Sequence, residues 1–215
     1  PVATVQGYLE PIMQRLGDAP SSDLQEDLVV IEREVERLNR LINDLFVLSQ
    51  AEVSRLVMQP KLTDVEKVVE EMVDTFSRLA WQRARIEVVT EVDDQLPLAI
   101  VDASRLEQIL ANLLRNGIRH TPPGGIIAIR LTVDLNHVKI EVRDTGEGIS
   151  SENLAHIWER FYRVPNSQAA EEDGAGLGLA VVKELAEAMG VGVSVKSTLG
   201  EGTCFTLYVP IDPSG

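Results

Sequence analysis

From Leu24 onward, apolar residues return at Leu28, Ile31, Val35, Leu38, Ile42 and Leu45, in alternating steps of four and three. That spacing is a heptad seam and predicts one long helix, with Glu32, Arg33, Glu36 and Arg37 off the seam. Ser21, Ser22 and Asp23 supply capping side chains at its start. Upstream, Val5, Leu9, Ile12 and Leu16 are spaced like one face of a shorter helix, closed by Gly17 and Pro20. The two make a helical hairpin. Two helices alone bury a continuous apolar seam poorly, so pairing with a second copy into a four-helix bundle is expected. The alternative is that the seam packs on the following domain of the same chain.

Around Gln59 and Pro60 the pattern changes, and the chain then alternates helix and strand. Val65, Val68, Val69, Met72 and Phe76 keep helical spacing, and Ile86, Val88 and Val89 read as a strand. A helix is predicted from Leu106 to Ile118, then strands from Ile126 to Val133 and Val138 to Val142 with a turn near Asn136. A last helix from Leu177 to Met189 is followed by strands around Val191 to Val195 and Cys204 to Val209. The expected architecture is α+β. A hairpin over residues 1–57 precedes, over 58–215, an α/β sandwich whose mixed sheet carries helices on one face. Val164 to Gly176, polar and rich in small residues, is the candidate lid.

The charge narrows what such a domain can bind. Twenty basic against 34 acidic residues among 215 give a net charge of −14, which repels nucleic acid and anionic lipid. A polyanionic ligand must then be held by a metal ion, a few placed cations and backbone amides. Cys204 is the only cysteine, so no intramolecular disulfide forms, and no Cys/His cluster has zinc spacing. A cytoplasmic setting fits. No apolar run reaches the roughly 18 residues of a membrane span, which leaves membrane attachment, if any, to an upstream region of a longer parent.

Four elements carry candidate chemistry. In Asn112-Leu-Leu-Arg-Asn116-Gly-Ile-Arg119-His120-Thr121, Asn112 and Asn116 share a helix face; Asn116 can offer a neutral, hard oxygen to Mg²⁺ while Arg119 reaches phosphate. Asparagines on a solvated helix face would give the same spacing. In Asp144-Thr-Gly146-Glu-Gly148-Ile149, glycines let the backbone approach a flat ligand, and a buried carboxylate can accept from an exocyclic amine. Adenine has that amine where guanine has a carbonyl, although Asp and Gly also favour plain turns. Glu159-Arg160-Phe161-Tyr162-Arg163, after Ile157 and Trp158, pairs aromatics with cations; clusters of this kind are commonly core. Gly174-Ala-Gly176-Leu177-Gly178-Leu179 opens a helix and offers several amide hydrogens to an anion. Neither the G-x-G-x-x-G dinucleotide pattern nor a G-x-x-x-x-G-K-[ST] loop occurs. A Gly200-Glu-Gly202-Thr203 turn can bring Thr203 beside the base.

In this order the elements resemble the ATP-binding domain shared by histidine kinases, Hsp90 chaperones, type II topoisomerases and mismatch-repair ATPases. The aromatic element and the Ser197-Thr-Leu-Gly200-Glu-Gly202-Thr203-Cys-Phe205 ending resemble the sensor histidine kinases in particular. So do Pro1-Val-Ala-Thr-Val-Gln-Gly7-Tyr8-Leu9-Glu10 and Glu36-Arg-Leu-Asn-Arg-Leu-Ile-Asn-Asp-Leu-Phe-Val-Leu-Ser49, which look like their dimerisation helices. The resemblance implies that Asn116 ligates Mg²⁺, that Arg119 replaces the usual phosphate-contacting lysine, and that His120 flanks the adenine. It further implies that Asp144 binds the adenine amine and that Gly146 and Gly148 shape the base pocket. Gly174, Gly176 and Gly178 would form the lid; Ile149, Phe161, Leu179 and Phe205 its apolar lining; Arg163 a phosphate contact. The implied partners are a second copy, through the hairpin, and the receiver domain of a response regulator.

Two departures qualify the likeness. The family's phosphorylated histidine is expected a few positions before Pro1; the histidines present are His120, His137 and His156, none on the hairpin. The expectation is a chain that binds ATP and does not phosphorylate itself. Gly117 stands where the family usually has alanine, at up to about 1 kcal/mol of helix stability. Two other functions are compatible with these residues: a silent dimeric scaffold holding ATP as a structural ligand, and an ATP-driven conformational clamp. A hairpin placed ahead of the ATP domain argues against the clamp.

Overall fold

The computed structural model describes residues 22–53, 56–93, 95–164 and 175–211. The chain divides into two compact units, Pro1–Ser49 and Gln50–Gly215. The heptad seam forms helix α1 (Ser22–Glu52). On it Leu28 is buried, whereas Ile31, Leu38, Ile42 and Leu45 remain 46–49% exposed. The shorter helix expected upstream lies outside the described residues.

The second unit is built on a five-stranded sheet of β2 (Glu87–Val92), β4 (Ile126–Asp134), β5 (His137–Asp144), β7 (Gly202–Pro210) and β6 (Gly192–Thr198), in that spatial order. Only the β2–β4 pair is parallel. The chain joins those two strands through a helix, α3 (Ala103–His120), as a parallel connection requires. Alternation along the strands puts Ile127, Ile129 and Leu131 of β4 in one buried row set with Val138, Ile140 and Val142 of β5 and Phe205, Leu207 and Val209 of β7. The registers Ile129↔Val142, Ile140↔Leu207 and Val138↔Val209 align these side chains on one face. That face receives the helices. The sheet is thus mixed, and the α+β architecture expected from the sequence is the one observed.

Helix α2 (Val65–Ala84) starts where Asp64 accepts the Lys67 N–H, and it buries Val65, Val68, Val69, Phe76 and Ala80 at helical spacing. Arg85 ends it in the left-handed region at φ 54°, its N–H returning to Ala80 and Trp81 carbonyls. Helix α3 has Asp102 as its N-cap and buries Leu106, Ile109, Leu110, Leu113, Leu114 and Ile118. Helix α5 (Gly178–Met189) buries Ala180, Val181, Val182, Leu185 and Ala186, and Gly190 ends it at φ 69°. A four-residue helix, α4 (Ser151–Leu154), follows the turn after β5. A separate two-stranded pair, β1 (Lys61–Thr63) with β3 (Ala99–Val101), was not anticipated by the sequence pattern.

The Asp102 cap also ties this pair to the sheet domain. Its carboxylate accepts the Gln59 N–H at 2.9 Å, the Ser104 hydroxyl at 2.8 Å and the Arg105 N–H at 3.3 Å. Burial acts to raise its pKa, but these donors and the Arg105 charge outweigh it and leave the carboxyl below its usual value.

Candidate functional site

Strand β5 ends at Asp144, in the helix-facing row, level with Ile127 of β4 and Thr203 of β7. The residue is 7% exposed. Its Oδ1 accepts the Gly146 N–H at 2.8 Å and the Thr203 N–H at 3.2 Å. Burial pushes the carboxyl above the ordinary carboxylate range, although those donors and the charge of nearby His120 pull the other way. Desolvation has therefore been incurred on folding, before any ligand arrives.

The chain around Asp144 is too close for side chains. Gly202, at φ +105°, would place a Cβ 2.0 Å from the Asp144 carbonyl oxygen, and Gly148, at φ +69°, one 2.0 Å from the Thr198 carbonyl oxygen. Only glycine serves at these two positions. Ser197 completes the junction: its hydroxyl accepts the Ile149 N–H at 2.8 Å, donates to the Gly202 carbonyl at 2.8 Å and lies 2.9 Å from the Thr203 hydroxyl. Phe205 is buried and meets Trp158 edge-on, with ring centroids 5.9 Å apart. Asp144, Gly146, Ile149 and Thr203, with Ser197, thus form one hydrogen-bonded group, and Gly148 packs beside it against the Thr198 backbone.

Helix α3 links this group to the start of α5. A Cβ built on Gly178 would stand 3.4 Å from Asn112 Oδ1, while one on Gly117 would stand 3.8 Å from Asp144 Cβ. Those contacts are five residues apart, about 7.5 Å along a helix, and half-buried Asn116 lies between them. Arg119 and His120 follow on the last turn. Leu177, buried, precedes α5 and makes no side-chain capping hydrogen bond to it. Its first amide hydrogens have no intrahelical acceptor, an arrangement suited to an anion.

The aromatic element reaches the glycine segment through its backbone. The Phe161 N–H donates to the Gly176 carbonyl at 2.9 Å, and a Cβ on Gly176 would lie 2.7 Å from the Phe161 carbonyl carbon. The Phe161 side chain itself is 64% exposed, on a backbone at φ +64°; Trp158, not Phe161, supplies the ring against Phe205. Arg163 is exposed and Leu179 partly so. Gly174 and residues 165–174 of the expected lid lie outside the described residues. His137 packs edge-on against Tyr208, and exposed His156 pairs with Glu159 at 2.7 Å. The sequence pattern does not single out Ser197 or Glu147, although Ser197 opens the ending that resembles the sensor histidine kinases.

Comparison with known proteins gives this arrangement its class. Residues 101–213 match the histidine kinase-, DNA gyrase B- and HSP90-like ATPase family, and residues 1–53 match the His kinase A phospho-acceptor domain. The domain around Asp144 is an ATP-binding domain of that class. The chain belongs to the sensor histidine kinases and carries their catalytic core. It is 32% identical over 211 residues to the sensor histidine kinase RppB of Synechocystis, and 29% identical over 220 residues to the sensor protein SrrB of Staphylococcus aureus. Each alignment covers 98% of this chain but only 46% and 36% of those proteins, so the chain spans less than half the length of these curated relatives. The crystal structure of full-length ShkA in complex with AMPPNP matches with a TM-score of 0.75 at 26% identity, over 98% of this chain and 45% of that one. Among the described residues no helix is long and apolar enough to cross a membrane.

Proposed function

We propose that the parent protein transfers the γ-phosphoryl group of Mg-ATP to a histidine imidazole on its dimerisation helices, releasing ADP, and passes it on to an aspartate of a receiver domain. In the first step the bond from phosphorus to the β,γ-bridging oxygen breaks and a phosphorus–nitrogen bond forms. The protein's part in such a transfer is positioning and charge neutralisation. Asp144 carries the reading. Its Oδ1 is held by two backbone donors, so Oδ2 accepts the adenine amine, and guanine, with a carbonyl there, would meet it acceptor to acceptor. Thr203 and the glycine turn flank the base, with Ile149, Leu179 and Phe205 as its apolar surroundings.

The phosphates fit at the uncapped start of α5, within reach of Arg119. Mg²⁺ would be held by the Asn116 amide oxygen together with phosphate oxygens and water, the coordination this ion favours, and would neutralise phosphate charge. Gly176 and Gly178 border the phosphates; Phe161 and Arg163 stand at the edge of that region. The exposed seam of Ile31, Leu38, Ile42 and Leu45 supports pairing with a second copy across residues 1–57, with 58–215 as the ATP-binding domain.

Equilibrium binding of ATP and GTP to this chain, with and without Mg²⁺, tests the reading. Magnesium-dependent binding of ATP, absent for GTP, is expected. Asp144→Asn keeps an oxygen for Gly146 and Thr203 but turns a donor toward the amine, and should weaken ATP about a hundredfold. Unchanged affinity in a folded Asp144→Asn protein would sink the base-recognition role.

A further inference from the structure

Glu147 lies between the two glycines of the turn after β5, and the nucleotide reading gives it no role. Its side chain meets His120, with Oε1 2.7 Å from Nδ1. Its N–H donates to the His120 carbonyl at 3.1 Å, and its own carbonyl accepts the Gly200 N–H at 2.7 Å. One residue thus fastens the last residue of α3 to the turn after β5 and to the turn between β6 and β7. The backbones are in close contact here, since a Cβ on Gly146 would lie 2.5 Å from the His120 carbonyl oxygen. A carboxylate only accepts, so Nδ1 carries the proton whatever the charge on the ring. With side-chain exposures of 36% and 32%, the pair is partly shielded from solvent screening.

We infer that Glu147 is a positioning residue for the nucleotide, acting through His120: the Nδ1–carboxylate bond fixes the imidazole ring at the edge of the base. The inference rests on the nucleotide reading above. A ring left to rotate at the end of α3 would have to be ordered when ATP binds; the clamp orders it beforehand. Direct contact with the ligand is the weaker explanation, because a carboxylate repels phosphates and offers adenine's amine a second acceptor that Asp144 already supplies.

The test combines ATP titration of the whole chain with ¹⁵N spectra of its histidine rings, with His137 and His156 as internal references. Glu147→Ala should weaken ATP about fivefold, the scale of freeing one ordered side chain, and remove the Nδ1–H signature of His120. Glu147→Gln keeps an acceptor oxygen and should bind within about twofold of the parent with that signature retained. In a His120→Ala background, Glu147→Ala should have no further effect. Unchanged affinity and an unchanged His120 signature in Glu147→Ala would overturn the inference, as would an equal loss with and without His120. A folded parent that binds no ATP would remove the nucleotide reading and this inference together; a parent that binds, with an indifferent Glu147→Ala, removes this inference alone.

Discussion

The two ends of the proposed nucleotide site are built on opposite terms. At the base end several polar groups are already engaged: Asp144 Oδ1 takes two backbone donors, Ser197 bonds Ile149 and Gly202, and Gly202 and Gly148 sit where no side chain fits. At the proposed phosphate end α5 follows Leu177, whose side chain makes no capping hydrogen bond. Helix α3 shows what a structural helix start looks like in the same domain, because the Asp102 carboxylate takes the Arg105 amide and adds the Gln59 N–H and the Ser104 hydroxyl besides. A helix start left uncapped forgoes about 1 kcal/mol of stability and keeps donors for an anion. On the proposed nucleotide reading, the base end is thus organised by folding, whereas the start of α5 keeps its donors for the phosphates.

That contrast can be broken by mutation. Gly202→Ala forces a Cβ onto the Asp144 carbonyl at a left-handed φ and should cost about 3 kcal/mol, read by denaturant unfolding. A loss below 1 kcal/mol would mean that the base end yields. Asp102→Ala removes a buried cap with three donors and should cost about 2 kcal/mol while leaving ATP affinity unchanged. Because the folded-state pKa of Asp102 is depressed, its contribution is complete above the ordinary value of 3.8 and is lost as pH falls through the folded value. The stability gap between parent and variant should therefore narrow on the acid side of 3.8 and stay constant above it. Arg119→Ala, at the open end, should weaken ATP about tenfold and leave adenosine binding and unfolding midpoint nearly unmoved. A parallel loss for adenosine would place Arg119 at the base end instead.

Legibility in the sequence followed the same division between local and long-range order. The seam of α1 and the alternation of β4, β5 and β7 are repeated over many residues, so their periods survive reading one chain. The pair β1–β3 has three residues per strand and joins segments some forty positions apart, and no period can declare it. Asp144 was legible as a type of residue in a type of turn. That its oxygen is held by Thr203, 59 positions later, depends on the β5–β7 register. Phe161 shows the limit from the other side: the family resemblance marked it as an apolar lining residue, but on a left-handed backbone its ring is exposed, and it is Trp158 that packs against Phe205.

The smallest effect expected is at Gly117, and it weighs helix propensity against packing at the base end. Alanine in a helix interior gains about 0.8–1 kcal/mol over glycine. The added Cβ would stand 3.0 Å from Ile127 Cδ1 and 3.4 Å from its Cγ1, tighter than ordinary contact, but 3.8 Å from Asp144 Cβ, which is ordinary. Ile127 is fully buried, yet the nearest atom is its terminal methyl, which can give a few tenths of an ångström by a small χ2 rotation without moving β4. Crowding should then offset about half of the propensity gain, so Gly117→Ala should stabilise the domain by about 0.5 kcal/mol with ATP affinity unchanged. A loss exceeding 1 kcal/mol together with weaker ATP binding would mean that Ile127 cannot turn and passes the displacement to Asp144 across the Ile127↔Asp144 register. In that case the base end is rigid into its second layer, and Gly117 is required by the site and not merely tolerated by the helix.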